Sequence, residues 1–217
     1  AFIAINLSQF PEQLIESELF GHRKGAFTGA IDQHRGILST CSPCGAIFLD
    51  EIGDVAVPVQ IKLLHVLQER TFAPVGSHKS EKFKGRVIAA TNKDLRRLRE
   101  TGEFRDDFYY RLCSDVIEIP PLRQRLAEHP DELRELLVVT LERIVGRRSE
   151  ELEEKLLAYI KTQQPANYPW SGNIRELEQC ARQFLLSTTY QWQEEVEAEN
   201  PSERLMKEIS AGSLSAN

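Results

Sequence analysis

The sequence has few of the features that mark membrane, secreted or nucleic-acid-binding chains. It has no run of eighteen apolar residues, and no basic stretch followed by an apolar stretch at its N-terminus, so neither a membrane span nor a signal peptide is expected. The net charge of −6 argues against nucleic-acid binding by the chain as a whole, because such proteins normally carry a basic face. We therefore expect a cytoplasmic protein that does not contact a membrane.

Cysteine is also scarce, with four in the chain, and only Cys41 and Cys44 lie close together. A lone C-x-x-C without a second pair or nearby histidines is a weak metal signal. The Pro and Gly between and after these cysteines favour an ordinary turn instead. Without an extracellular signal, we expect the thiols to be reduced.

What is present is a globular composition, 41% hydrophobic and 28% charged over 217 residues, which allows one sizeable domain or one domain with a small appendage. Short apolar runs alternate with helical periods. Because the run at 46–50 is apolar throughout, it is typical of a parallel sheet covered on both faces. The alternation predicts an α/β fold with a mostly parallel sheet. Strands are predicted at 2–6, 46–50, 86–92 and 116–119, and helices at 11–20, 59–70 and 96–100.

The pattern changes after Pro121, where only helical periods follow, at about 131–145, 150–162 and 173–187. Asn173, with Glu176 three residues later, resembles a capping box at the start of the last helix. We therefore predict an α/β subdomain at 1–121, a helical lid subdomain at 122–190 and an acidic, polar linker at 191–217. Because the chain begins with Ala1, we expect it to be a piece of a longer protein.

One loop stands apart from this periodic pattern, the string Gly25-Ala26-Phe27-Thr28-Gly29-Ala30. Its two glycines permit backbone angles that other residues avoid, and its single aromatic ring is suited to contact with a partner. The alternative is a surface turn whose Phe27 folds back onto the domain. The run from Glu16 to Ala30 resembles the GAFTGA segment of bacterial enhancer-binding proteins, the AAA+ activators of sigma-54 RNA polymerase.

This resemblance, which covers roughly residues 1–190, implies a P-loop NTPase-like AAA+ sheet with helices on both faces, followed by a small all-α lid. It implies ATP and Mg²⁺ as cofactors and assembly with itself into a ring, expected to be a hexamer. It also implies that residues 25–30 bind sigma-54 RNA polymerase holoenzyme and remodel the closed promoter complex. DNA would be bound only through a domain that this sequence lacks.

Adjacent carboxylates follow the predicted strand at 46–50. In open α/β sheets, sites form outside the carboxyl ends of strands, and there one carboxylate can hold Mg²⁺ through water while another polarises an attacking water. Residues 45–54 are similar to the family's Walker B segment. By that resemblance Asp50 supports the metal and Glu51 activates water. The alternative is a pair of acids at a helix N-terminus.

Other site residues are implied by the same resemblance. Thr91 and Asn92 match the sensor I position, and Asn6 matches an Asn that relays nucleotide state toward the loop. Arg105 and Arg111 are the two candidates in a segment that resembles the arginine finger, which enters the neighbouring subunit's site. The alternative is a surface arginine paired with Asp106 or Asp107. Arg175 matches sensor II, in the lid.

The family's P-loop, G-x-x-x-x-G-K-[ST], occurs nowhere in these residues. In the family, the P-loop directly follows the first strand of the domain. In the sheet predicted here, that strand would lie between the strands at 86–92 and 116–119. Two rivals to an ATP-dependent activator remain, and the absence of the P-loop string from these residues favours the first of them for the chain itself. One is a non-catalytic fragment or degenerate paralogue that acts only as an interaction module. The other is a different AAA+ remodeller, against which the Phe27 loop argues.

Overall fold

The computed structural model describes residues 2–165 and 167–192, and in it the chain divides into two compact units, Ala1–Ile117 and Glu118–Asn217. The first unit mixes strands and helices. In chain order its elements are β1 (Phe2–Asn6), α1 (Glu12–Phe20), α2 (Ile37–Thr40), β2 (Ala46–Asp50), α3 (Val57–Glu69), β3 (Thr71–Phe72), β4 (Glu81–Lys82), β5 (Arg86–Ala89), α4 (Leu95–Glu100) and α5 (Asp106–Leu112).

A parallel sheet of β1, β2 and β5, with β2 in the middle, forms the centre of this unit. The central strand is apolar, and its Ile47 and Leu49 are almost fully buried. Helix α3 places Val59, Leu63 and Val66 at helical spacing in the same core. The predicted α/β class with a parallel sheet is therefore confirmed.

The carboxyl ends of the three strands meet at one edge of the sheet. Asn6 at the end of β1 is in register with Asp50 at the end of β2. Beyond β5, the Ala90 amide donates to the Leu49 carbonyl, and the Ile52 amide donates to the Ala90 carbonyl. Polar residues that follow these strands are thereby collected at the same edge, as the parallel arrangement requires.

The strand predicted at 116–119 is wrong. These residues have no regular secondary structure, and Val116, Ile117 and Ile119 are exposed. An extended segment becomes a strand only when a neighbour satisfies its N–H and C=O groups. Within the described residues, the sheet ends at β5, and no strand pairs with its second edge.

The second unit contains helices as predicted. They are α6 (Leu122–Glu128), which was not predicted, α7 (Glu132–Val145), α8 (Glu150–Gln163) and α9 (Asn173–Ser187). Leucines from α7 and α8 pack with Leu177 and Cys180 of α9. Burial raises the pKa of the Cys180 thiol to about 12. Of the linker predicted at 191–217, residues 193–217 lie outside the described residues.

The capping box predicted at Asn173 is wrong. Asn173 has a positive φ of 57°, and its side-chain oxygen accepts from the Leu122 amide at the start of α6. Asn173 therefore caps a different helix. Glu176 reaches back to the Gly172 amide, so only this half of the predicted box forms. Within the described part of the chain, no helix is long and apolar enough to cross a membrane.

Candidate functional site

The structure brings Asn6 and Asp50 together at the carboxyl edge of the sheet. The Asn6 side-chain amide donates to Asp50 Oδ2 over 3.3 Å, and the Glu51 amide donates to Asp50 Oδ1 over 3.1 Å. The Asn6 side-chain oxygen accepts from the backbone and the hydroxyl of Ser8, which lies in the turn at Leu7–Gln9 that leads toward α1. Asn6 therefore links the end of the central strand to the segment that precedes α1.

Glu51 occupies an unusual position. Its backbone is left-handed, with φ 58° and ψ 44°, which is uncommon for a residue other than Gly, Asn or Asp. One side-chain oxygen, Oε2, is buried and has no hydrogen-bond partner among the described residues. Because burial of an unpaired carboxylate oxygen is unfavourable, a strained backbone that keeps it there points to a functional role.

Thr91 lies next to this turn, whereas Asn92 makes no hydrogen bond to it within the described part of the chain. The Thr91 hydroxyl lies 2.7 Å from the place where a Cβ on Gly53 would stand, so only glycine fits there without a shift. The same hydroxyl accepts from the Lys93 amide. Asn92 is exposed to solvent. Of the two sensor I candidates, Thr91 is therefore the one held against the segment that carries Glu51.

An ion pair that sequence reasoning missed lies beside these groups. Lys93 Nζ is 2.5 Å from Asp54 Oδ1. The hydrogen bond to Asp54 raises the pKa of Lys93, and the negative charges of Glu103 and Glu51 act in the same direction. Asp54 lies in the Walker B-like segment, so an acidic residue near this site was expected from the sequence. Its pairing with Lys93 could not be predicted, because Lys93 follows a different strand.

The Phe27 loop has a defined stem. His22 and His34 exchange two backbone hydrogen bonds, each 3.0 Å long, and Val75 is bonded to the backbone on either side of His22. Within the loop, the Gly25 amide donates to the Ala30 carbonyl. Both glycines, Gly25 and Gly29, have positive φ. Backbone hydrogen bonds thus hold the two sides of the loop together where it leaves the domain.

The Phe27 ring is 38% exposed and makes an edge contact with the His22 ring, with centroids 4.9 Å apart. The Nδ1 atom of His22 shares a 2.7 Å hydrogen bond with the Ser17 hydroxyl of α1, and its ring stacks on His34. Phe27 therefore rests on a surface contact and is not inserted into the core. Thr28 is exposed, and Ala26 packs against Gly76.

The two arginines of the finger-like segment lie at opposite ends of α5. Arg105 is the residue before the helix, and its guanidinium donates twice to Asp107, which raises the pKa of Arg105 and lowers the pKa of Asp107. Arg111 donates to the Leu67 carbonyl. Arg111 also lines an open cleft together with Arg70 and Arg86. The pair with Asp107 is the alternative weighed for Arg105 above.

Arg175 belongs to the second unit, where it is exposed on the first turn of α9. Its neighbour Glu176 is buried and is bonded to the Tyr168 hydroxyl and to the Gly172 amide. These bonds fix the start of α9. A charged side chain on the surface beside such a fixed turn is available to a ligand or to another chain.

Carboxylates in this arrangement suit Mg²⁺, which binds to one or two carboxylates and fills its remaining positions with water and substrate phosphates. Asp50, which is half-buried, provides a carboxylate at the sheet edge. Among the described residues, no group of three or more His, Cys, Asp or Glu forms a complete metal cage. Cys41 and Cys44 lie in a turn in which the Gly45 amide donates to the Ser42 carbonyl.

Comparison with known proteins gives a consistent result. The profile of the Sigma-54 interaction domain family matches residues 1–119. The chain is 44% identical over 179 residues to the Nif-specific regulatory protein of Azotobacter vinelandii, covering 82% of this chain and 33% of that protein. It is 42% identical over 186 residues to the sigma-54-dependent transcriptional activator SfnR of Pseudomonas putida, covering 86% and 49%. The chain thus spans less than half of these relatives' length.

A solved structure with the same fold is that of NtrX from Brucella abortus in complex with ADP. It is 25% identical, has a TM-score of 0.67, and matches 92% of this chain and 42% of that chain. That protein binds ADP in the crystal.

Proposed function

Because the chain belongs to the sigma-54 interaction domain family, a family of AAA+ transcriptional activators, we propose that the whole protein activates sigma-54 RNA polymerase by ATP hydrolysis in the cytoplasm. The Phe27 loop binds the polymerase and remodels the closed promoter complex. The subunits form a ring, proposed to be a hexamer. DNA is bound through another domain. The chain's own residues supply most of the hydrolytic site and all of the loop.

One observation carries this proposal. A short path of bonded residues joins the sheet edge to the loop within the first unit. Asn6 contacts Asp50 at one end and the turn that precedes α1 at the other. Helix α1 ends at Gly21, and His22 follows as the stem of the loop. A change in what Asp50 and Glu51 bind can therefore bias the position of Asn6, α1 and the loop together.

Asp50 and Glu51 have different roles in the proposed ATP hydrolysis. Asp50 faces Asn6 and retains lone pairs that can bind a hydrated Mg²⁺, which would neutralise phosphate charge. Glu51 holds an unpaired buried oxygen, which can accept a proton of the attacking water and orient that water toward the γ-phosphate. Thr91, beside Gly53, senses whether the γ-phosphate is present. Asn92, which follows it at the carboxyl edge of the sheet, shares this role.

The arginines act across the ring. Arg105 exchanges Asp107 for the phosphates of the neighbouring subunit, and Arg111 adds a second positive charge. Arginine fingers raise the rate of phosphoryl transfer by about 10³–10⁵ in other systems. Breaking the ion pair between Arg105 and Asp107 requires little free energy, because exposed ion pairs contribute little to stability in water. Arg175 acts as sensor II from the lid.

The decisive test of the loop assignment is Phe27→Ala in the full-length protein. Because the ring is an exposed aromatic contact, its removal is expected to weaken sigma-54 binding by about 30-fold or more, as for a hot-spot residue. ATP turnover should stay within about twofold, since the ring contact of Phe27 among the described residues is with His22, which has no proposed catalytic role. Binding is measured by fluorescence anisotropy with a non-hydrolysable nucleotide.

The matched control is Ile31→Ala. Ile31 is 75% exposed and follows the hexapeptide directly, so its removal takes away comparable apolar surface from the same loop. We expect sigma-54 binding by this variant to stay within about threefold of the unmodified protein. If Phe27→Ala binds as well as Ile31→Ala, the loop assignment is wrong.

A second candidate function is an interaction module without catalysis. For the 217-residue chain itself, it is favoured by one observation, the absence of a G-x-x-x-x-G-K-[ST] string from these residues. The two functions differ in nucleotide binding by the full-length protein. Binding that supports turnover, together with loss of turnover in Glu51→Gln, favours the enzyme, whereas sigma-54 binding without any nucleotide effect favours the module.

A further inference from the structure

A buried glutamine joins the segment that carries Arg105 to the segment that follows Glu51. Gln60 lies in α3 and is fully buried. Its side-chain amide donates to the Val55 carbonyl over 2.8 Å and to the Glu103 carbonyl over 2.7 Å. Its side-chain oxygen accepts from the Arg105 amide over 2.9 Å. One side chain therefore bonds to two segments that are distant from each other along the chain.

These bonds use both donors of the amide group and its acceptor. A buried amide with every group bonded is rigid, because breaking one bond leaves a polar group unsatisfied away from water. The Arg105 amide precedes α5 and has no partner within that helix, so Gln60 supplies the acceptor that the helix cannot. Gln60 thus fixes the backbone from which the Arg105 side chain extends.

The two segments serve different nucleotide sites in the proposed ring. Val55 ends the turn that begins at Glu51, which acts on the subunit's own nucleotide. Arg105 acts on the neighbour's nucleotide. Resting on the proposed function, we infer that Gln60 is a positioning residue that sets the reach of Arg105 and ties it to the turn after Glu51. A shift at one nucleotide site is thereby passed to the finger supplied to the next site.

The first test measures the bond network in the 217-residue chain and does not depend on activity. Gln60→Met keeps a similar volume but removes all three bonds, to the Val55 and Glu103 carbonyls and to the Arg105 amide. We expect hydrogen exchange at the Arg105 amide to rise by at least about tenfold, the effect of losing one buried hydrogen bond. Val59→Ala, a buried neighbour in the same helix, controls for general loss of stability and should leave that amide within about threefold.

If Gln60→Met does not fold, Gln60→Glu replaces it. Burial keeps the introduced acid protonated, so it can donate to only one of the Val55 and Glu103 carbonyls, but it keeps an acceptor for the Arg105 amide. Exchange at the Arg105 amide should therefore stay within about threefold in Gln60→Glu, while one of the bonds to the two carbonyls is lost. Equal exchange at Arg105 in Gln60→Met and the unmodified chain, with the fold intact, would overturn the inference, as would a tenfold rise in Gln60→Glu.

The second test uses mixed rings of the full-length protein. Arg105→Ala and Glu51→Gln are each expected to be inactive alone, and their mixture should recover at least about tenfold in turnover, because one supplies the carboxylate and the other the finger. Gln60→Met should behave like Arg105→Ala, with low kcat, a KM within about threefold, and recovery when mixed with Glu51→Gln. It should show no recovery when mixed with Arg105→Ala.

The outcomes separate the inference from the proposed function. If Arg105→Ala and Glu51→Gln do not complement each other, the proposed shared site fails, and hydrogen exchange still decides whether Gln60 holds Arg105. If they complement each other but Gln60→Met is not rescued by Glu51→Gln, Gln60 supports its own subunit's site, and the inference is wrong.

Discussion

At the scale of single residues, Glu51 combines two features that oppose stability, a left-handed backbone and a buried oxygen without a partner among the described residues. Folding alone gives no reason to keep either feature, since a glycine or a neutral side chain would fit the turn at lower free energy. Residues of this kind are retained where chemistry requires them, at the expense of stability. Glu51 is therefore the residue at which activity and stability are expected to respond in opposite directions.

Glu51→Gln tests this opposition. Turnover by the full-length protein should fall by about 10² or more, because the amide cannot act as a base. The free energy of unfolding of the 217-residue chain, measured in urea, should be unchanged or higher by up to about 1 kcal/mol, because a neutral group loses less hydration on burial. Glu16→Gln, which breaks an exposed pair with Lys62, is the control and should leave turnover unchanged. A clear loss of stability in Glu51→Gln would contradict this account.

The site residues differ in how far the sequence alone could assign them. Asp50, Glu51 and Phe27 lie in continuous strings whose order carries the information. Gln60 and Lys93 could not be assigned, because their partners are distant along the chain and meet them only after the sheet forms. A polar residue on the buried face of a helix was the one available signal for Gln60.

At the scale of elements, the end of α1 and the start of α2 cross with their backbones in contact. A Cβ on Gly36 would overlap the Gly21 amide nitrogen and would lie 2.5 Å from the Leu19 carbonyl oxygen. Gly21 itself has a φ of +79° and ends α1. Neither contact can relax by moving a flexible side chain, since both involve backbone. The stem of the Phe27 loop is anchored on this crossing.

Gly36→Ala should therefore lower the free energy of unfolding by about 3 kcal/mol or more, the upper range for overpacking. Gly25→Ala is a matched control inside the loop, where φ is +78° but nothing lies within 4 Å of an added Cβ. Only backbone strain of roughly 1–2 kcal/mol is expected there. Urea denaturation followed by circular dichroism compares the two, and equal losses would show that the crossing is not the cause.

Elements were predicted well where the chain pattern is periodic and locally self-sufficient. Strands β1 and β2 and helices α7, α8 and α9 were placed within about a residue at their starts. The short helices α2, α5 and α6 and the β3–β4 pair were missed, because they depend on tertiary contacts rather than on a repeated pattern. Residues 116–119 show the reverse case, a strand-like composition without a partner in the described sheet.

At the scale of the whole molecule, the chain contains the residues proposed above for the hydrolytic site but no P-loop string within these 217 residues. Backbone amides of that loop cradle the phosphates, and its Lys neutralises them. Asp50, Glu51 and Thr91 carry no positive charge that could replace it. We therefore predict that the purified 217-residue chain shows no Mg²⁺-dependent ATP turnover above background.

Turnover is measured by phosphate release, with Glu51→Gln of the same chain as the blank for contaminating enzymes. Equal rates in the two samples are expected. A rate that disappears in the Glu51→Gln chain would contradict the prediction and would mean that these residues bind ATP without the usual cradle.

The stem at His22 has a mechanical consequence. Its backbone is fastened on one side to His34 and on the other to Val75, which lies in the stretch between β3 and β4. A pull on the loop tip is thus shared between two attachments instead of loading a single hinge. In the proposed mechanism, force exerted on the polymerase through the loop would be borne by both attachments, and the stretch between β3 and β4 would move together with the loop.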